Sequence, residues 1–485
     1  MTSIRTNYLL RSVSPVKIDR NVTLHVDGAT IASIASDPAS DTAYPDTLIV
    51  PSLANAHDHG RGLKTLAYGA FDTAVEAWVP ATYTLPSLDP YLVAALAFAR
   101  MARAGITSIV HCHVSSGGIS LLTAAEAVAR AARDVGVRVA FVVPLRDRHR
   151  LGYGADAAIL AHMAATDIEA ISARWLKPIA PIAEQLDMVD RIAEQCESSF
   201  FSVQYGPVGM EWCSDDLLRQ VAARANQSGR RIHMHLLETR YQRQWTDRHY
   251  AEGPVQRLVE LGLLSERLTV AHGTWLRPQE SEILARHNVT VSINTSSNLR
   301  LKSGIAPLPS IKAARLRFAI GLDALALDDD DDILRELRLT HLLHGGTGFD
   351  RHVTREDVFD AGSHAGACAV CGPGPAGELA AGAPADFIVL NYAKISADLH
   401  AAFDEPFLTF FSRATQQHIE HVYCAGRHIV AQGRVLGVDE AALQQELATQ
   451  LAHTAPEMAA QRALLARFQH GLERFYASGG HLERS

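Results

Sequence analysis

The chain has 485 residues, 47% hydrophobic and 20% charged, the balance of an ordinary globular protein long enough for a barrel of about 250 residues with flanking structure. A net charge of −8 argues against nucleic acid or an anionic membrane as a partner. No basic start leading into an apolar core stands at the N-terminus, and no long uncharged apolar run occurs. The expectation is therefore a cytoplasmic protein that neither spans nor enters a membrane.

Residues 1–50 contain short alternating runs such as Val22-Thr23-Leu24-His25-Val26, followed by Asp27-Gly28, a half-buried strand beside a turn signal. From about 51 to 374 the pattern changes to apolar β-branched runs alternating with amphipathic stretches. The runs are Leu48 to His57, Ile106 to His113, Val137 to Leu145, Phe200 to Val208, Arg231 to Glu238, Leu268 to Trp275, Val289 to Ser296 and Arg317 to Ala324. Helices are expected over Pro90 to Ala104, Thr123 to Asp134, Asp215 to Asn226 and Gln279 to His287. Pro178 and Pro181 split or kink the stretch Ser172 to Glu197. Eight strands, each followed by room for a helix, predict an α/β fold of the closed (β/α)8 TIM type. Strand counting alone leaves an open doubly wound sheet as the alternative.

Asp328 to Asp332 precede Ile333-Leu334-Arg335-Glu336-Leu337 and read as a solvated helix start, with a cation site as the rival reading. Cys368-Ala369-Val370-Cys371 has redox or zinc spacing, but no second pair accompanies it, and packing in an Ala/Gly-rich segment is the favoured reading. Strand chemistry returns over residues 375–437, in Ala385 to Leu390, Ile419 to Tyr423 and Gly426 to Val430. Neither flank is long enough for a good core alone, so 1–50 and 375–437 are expected to pair into one composite β-sandwich domain. Residues 438–485 are left as a helical tail.

Several strand ends carry chemistry. The first run ends Asn55-Ala56-His57-Asp58-His59-Gly60, and alternation puts His57 and His59 on one face with Asp58 on the other. The fifth run contains His233-Met234-His235-Leu236-Leu237-Glu238, the sixth Ala271-His272-Gly273 and the eighth Gly321-Leu322-Asp323. Barrel chemistry gathers at the C-terminal rim, so four strands deliver imidazole or carboxylate to one place, as a metal site requires.

These elements resemble the amidohydrolase superfamily, and within it the aminohydrolase branch of guanine, cytosine and S-adenosylhomocysteine deaminases and triazine hydrolases. Ser296-Ser297-Asn298-Leu299-Arg300-Leu301 and the segment Gly377 to Asp386 are similar to that branch as well. The resemblance implies that His57, His59, His235 and Asp323 bind one divalent metal, zinc or iron, with His233 one layer deeper and structural. No lysine ends the fourth strand, so one metal is expected rather than two. A bound divalent ion lowers the pKa of its water to about 7 and so supplies hydroxide near neutral pH. Asp323 would accept the water's proton, Glu238 would carry a proton to the substrate nitrogen, and His272 would hold the developing oxyanion.

The reaction implied is hydrolytic deamination of a small heterocycle of purine, pyrimidine, pterin or triazine type. The same residues would also serve amide, urea or carbon–halogen hydrolysis, and a non-catalytic barrel scaffold would need a missing ligand or acid. Arg61 is a candidate substrate contact or a surface salt bridge, and His113 a substrate contact or a structural hydrogen bond. His111 shares its face without an assigned role. Gln204 and the aromatic surfaces of Trp212 and Trp275 are further candidates for a flat ring, although a buried Trp more often fills a barrel mouth. By analogy with relatives a homo-oligomer, dimer or tetramer, is expected.

Overall fold

The computed structural model describes residues 1–36, 44–85, 87–114, 118–400 and 402–483. The chain opens with β1 (Thr2–Val13), β2 (Val16–Asp27), β3 (Thr30–Ser36) and β4 (Thr47–Pro51). The first three form an antiparallel meander, and β4 runs parallel to β1. The barrel follows, with β5 (Leu53–Asp58), β6 (Ile106–Cys112), β7 (Arg138–Leu145), β8 (Phe201–Pro207), β9 (Ile232–Leu236), β10 (Leu268–His272), β11 (Thr290–Ile293) and β12 (Arg317–Ile320). These eight strands pair in chain order, all parallel, with helices between them. The open sheet is thereby excluded. At the seam between β12 and β5, Asp323 N donates to His57 O (2.9 Å) and Leu322 N to Asn55 Oδ1 (2.9 Å). Both faces of each strand are covered, which explains why the sequence shows continuous apolar runs here and alternation only in the flanks.

The strand expected over Leu48 to His57 is two strands. It breaks at Ser52, so that β4 belongs to the flanking sheet and β5 to the barrel. The run Val289 to Ser296 is also shorter as a strand, because Thr295–Arg300 turns directly into a helix. β13 (Phe387–Asn391), β14 (Ile419–Cys424), β15 (Arg427–Ala431) and β16 (Arg434–Val435) join the N-terminal strands in one eight-stranded sheet of order β16-β15-β14-β13-β4-β1-β2-β3. Its two faces divide the side chains by parity. Tyr8, Leu10, Leu48 and Val50 pack into the barrel's main core, whereas Leu9, Ile49, Phe387 and Val389 enclose a separate one. The sheet curls around that second core until its two turns touch, and a side chain on Gly426 would meet Gly28 O at 2.0 Å.

The barrel floor is plugged from within the chain. Residues 361–371 run as a π turn and a short helix whose Ala365, Ala369 and Val370 pack on Ala56, Val110 and Ala319. Gly366 permits this approach, since a Cβ there would stand 2.9 Å from Ala54 Cβ. The C-terminal helix Glu440–Ala477 lies along the barrel, not away from it. Its Leu465 packs with Trp78 and Tyr68, Gln469 donates to Ala77 O (2.7 Å), and the Tyr476 hydroxyl accepts from Tyr153 N (3.1 Å).

The acidic run is not a solvated helix start. Asp332 does cap the helix Ile333–His344, accepting from Leu334 N and Arg335 N. Asp331, however, is fully buried between Lys64 and Arg100, while Asp328 and Asp330 pair with Arg335, and Asp329 with Arg300. Facing cations neutralise the run, which ties the loop after β12 to the loop after β5. No helix among the described residues is long and apolar enough to cross a membrane.

Candidate active site

At the end of β5, Asp58 points away from His57 and His59, as alternation requires, and serves as a staple. Its Oδ1 accepts from Gly60 N (2.7 Å), and its Oδ2 accepts from Ala324 N (2.9 Å) and Asn55 Nδ2 (2.8 Å). One buried carboxylate therefore fixes both the turn after His59 and the turn that carries Asp323. Three residues of the site region, Leu237, His272 and Asp323, hold left-handed φ of 53°, 75° and 54°. Non-glycine residues pay about 1–3 kcal/mol each for such strain, which surrounding structure must sustain.

The structure brings His57, His59, His235, His272 and Asp323 together. The ligand atoms of His57, His59 and His235 all lie within 4.8 Å of one another, as do those of His57, His272 and Asp323. Asp323 Oδ1 stands 3.3 Å from His57 Nε2 and 3.2 Å from His59 Nε2, and its Oδ2 accepts from Ser297 Oγ (2.5 Å). His59 Nδ1 faces Cys112 O (2.9 Å) and His235 Nδ1 faces Val208 O (3.0 Å). A carbonyl only accepts, so both rings carry a proton on Nδ1 and point Nε2 inward. His57 Nδ1 lies 2.8 Å from His233 Nε2, and its own Nε2 has no hydrogen-bond partner. His233 stacks on His57 at 5.0 Å and orients it from below, the structural role expected of it.

Could protons hold this cluster together instead of a cation? Burial pushes His57 down to about 4 and His235 well below its ordinary value, so both rings are neutral at pH 7. Burial alone would raise the Asp323 carboxyl, but the His57 and His59 rings beside it hold it well below the usual carboxylate range. Three imidazole nitrogens and a carboxylate oxygen converge on one point, which a cation would fill. The donor set of neutral nitrogens and one carboxylate oxygen suits a divalent transition ion. The residues fit the group.

Glu238 follows β9 and is buried beside the cluster, its Oε2 3.8 Å from His272 Nε2 and its Oε1 accepting from Ser303 Oγ (3.3 Å). Burial raises its carboxyl, with His272 opposing the shift. His272 Nδ1 has Asn298 Oδ1 at 2.9 Å and Asn294 Nδ2 at 3.2 Å, an acceptor and a donor, so the ring can carry its proton on either nitrogen. Behind Glu238 stand two more buried acids. Glu76 accepts from Thr239 Oγ1 (2.6 Å) and is raised to about 7 by burial, and Glu211 is raised to about 8 by burial with Glu238 and Glu76 near it.

His59, His235, Glu238, His272 and Asp323 line a cavity of about 620 Å³. Arg61, His113 and Trp212 line it, with the Trp212 ring 5.2 Å from that of Tyr153. Gln204 does not. Its side chain lies inside the barrel and donates to Ala369 O (3.1 Å), which makes it part of the floor. Trp275 stands outside the cavity, 39% exposed, with Nε1 donating to Ser303 O (2.8 Å), so it braces the loop that carries Ser303. Trp78, Tyr153, Arg146 and Arg150 also line the cavity without an imidazole or carboxylate signal in the sequence; Arg146 directly follows β7, Trp78 lies on the helix Val75–Thr82, and Arg150 and Tyr153 lie in the loop after β7. The six cysteines are free, Cys368 being buried and Cys371 exposed.

Barrel and family together define a hydrolase acting on carbon–nitrogen bonds. The chain belongs to the amidohydrolase family, whose model matches residues 48–429. It is 28% identical over 448 residues to a 5-methylthioadenosine/S-adenosylhomocysteine deaminase of Pyrococcus horikoshii, covering 90% of this chain and 93% of that one. In fold it is similar to a zinc-bound adenosine deaminase of Xanthomonas campestris, with a TM-score of 0.75 at 19% identity over 94% of this chain and 98% of that one. It is also similar to the atrazine chlorohydrolase of Arthrobacter aurescens TC1 in complex with zinc, with a TM-score of 0.75 at 18% identity over 93% of this chain and 99% of that one.

Proposed function

We propose that the protein hydrolytically deaminates a nitrogen heterocycle, using one zinc ion held by His57, His59, His235 and Asp323. The observation that carries this reading is Glu238. Its carboxyl, raised by burial, faces the cavity beside the imidazole cluster and 3.8 Å from His272. The deaminase relative of Pyrococcus horikoshii supports the reaction type, and the zinc of the two structural neighbours supports the ion.

Ammonia leaves a ring poorly as an anion, so the reaction needs a proton delivered to nitrogen as the carbon–nitrogen bond breaks. His57, His59, His235 and Asp323 would hold the divalent ion, which would supply the Lewis acidity that makes a water acidic. Asp323 is held ionised by its neighbouring imidazoles and accepts a proton from that water. Glu238 protonates the ring nitrogen, which makes the adjacent carbon electrophilic; as a carboxylate it then takes the proton of the added hydroxyl and passes it to the departing amino group, and the proton held by Asp323 returns Glu238 to its acid form. His272 hydrogen-bonds through Nε2 to the oxygen as charge develops on it, with Asn298 and Asn294 fixing the ring. The apolar cavity wall excludes bulk water and strengthens these interactions.

Ammonia release over a panel of aminated purines, pyrimidines, pterins and triazines, with the metal-loaded protein, tests the proposal. At least one class should turn over, and chelation should abolish it. Amide or halide hydrolysis with a silent ammonia panel would overturn it.

A further inference from the structure

One stretch of the cavity wall carries buried polar atoms with no hydrogen-bond partner among the described residues. His111 is 4% exposed with both ring nitrogens unpartnered, His113 Nε2 is unpartnered, and so is Arg61 Nε. Arg61 is 8% exposed and lies over the Trp78 ring at 5.1 Å, and its recorded hydrogen bond goes to the Tyr68 hydroxyl (3.3 Å). It has no carboxylate partner among the described residues. All three residues line the cavity.

Aromatic packing, rather than hydrogen bonding, holds His111. Its ring is stacked on Phe141 at 5.6 Å and meets Phe98 edge-on at 5.8 Å, while His113 lies 5.0 Å from Phe141. Gly60 makes room for it. A side chain there would strike His111 Nδ1 at 2.2 Å, and its φ of +58° disfavours one. A phenylalanine would fill the His111 site equally well. Two polar nitrogens in such a place cost free energy unless something entering the cavity pairs with them. Burial holds both rings neutral, His113 at about 4 and His111 well below its usual value, so each offers one N–H and one lone pair. Arg61 offers only N–H groups.

We propose that Arg61, His111 and His113 form a hydrogen-bonding wall that reads a lactam edge, an exocyclic oxygen beside a ring N–H, so that oxo-aminoheterocycles are selected over oxygen-free ones. Arg61 and an imidazole N–H donate to the oxygen, and an imidazole lone pair accepts the ring N–H. This rests on the deaminase reading of the same cavity. A site built to pair polar groups rejects an analogue lacking them because its own groups are then left buried and unpaired.

Matched pairs test it: guanine against 2-aminopurine, isocytosine against 2-aminopyrimidine, and pterin against 2-aminopteridine. The oxo member should be favoured in kcat/KM by at least about tenfold. His111→Phe, which keeps the packing between Phe98 and Phe141, and Arg61→Met should each shrink that ratio towards one. Calorimetry on the chelated protein gives a second readout, with xanthine and uracil binding to the parent and binding at least about tenfold more weakly to either variant. Equal rates within the pairs, or variants that leave the ratio and the lactam affinity unchanged, would overturn the inference. If no heterocycle releases ammonia yet lactams still bind through His111, the wall stands and the deaminase reading fails. Ammonia release without lactam preference fails the wall alone.

Discussion

At the floor of the barrel, Ala365, Ala369 and Val370 fill the space among the strands, and the Gln204 amide donates to Ala369 O. At the mouth the same strands end in His57, His235, His272 and Asp323, with His57 Nε2 unpaired and His59 Nε2 and Asp323 Oδ1 3.2 Å apart. The floor is small, apolar and closed by its own chain. The mouth concentrates charge, left-handed backbone and unpaired nitrogen, which no folding argument rewards. The contrast teaches that this barrel owes its stability to one end and leaves the other incomplete until something binds.

The division can be attacked from either side. The largest effect is expected at the mouth, where His235→Ala removes one of the proposed metal ligands. Metal content by elemental analysis should fall to background and turnover with it, while the thermal unfolding of the chelated proteins stays close. Glu238→Gln sharpens the division within the mouth. Metal should be retained and kcat should drop by roughly 10²–10⁴-fold, so full activity would contradict the assigned proton carrier. At the floor, Ala369→Leu overpacks a fully buried position and should cost about 1–3 kcal/mol, lowering Tm without changing metal stoichiometry or KM.

The smallest effect is a pH dependence. Burial, with Glu238 and Glu76 adding, raises Glu211 from 4.5 to about 8. Between those values the folded protein binds more protons than the unfolded chain, so this group's contribution to stability is lost as pH rises through about 8. Glu211→Gln removes that slope, and its Tm relative to the parent should climb between pH of about 5.5 and about 8.5. A constant difference would show that Glu211 is ionised in the folded state.

The sequence makes the rim legible because strand alternation and barrel polarity are both strict. Knowing that β5, β9, β10 and β12 end at one place is enough to gather His57, His235, His272 and Asp323. Depth along a strand is less legible. Gln204 lies three residues before the end of β8, about 10 Å below the rim at strand rise, and so faces the floor. Asp331 is illegible because a run of acids looks solvated until Lys64 from the loop after β5 and Arg100 from the helix Pro90–Arg103 close on it. Trp78 and Tyr153 reach the wall through tertiary packing of a helix and a loop, which no local period encodes, while Arg146 directly follows β7 but carries no metal-ligand side chain to draw notice.

The helix Glu440–Ala477 backs Trp78 through Leu465 and engages Tyr153 through the Tyr476 hydroxyl. A helix from far along the chain thus completes the wall of a chamber whose imidazole cluster the barrel strands supply. Loosening that helix, as in Tyr476→Ala, should leave metal content intact while turnover falls, so that chamber and cluster can be lost separately.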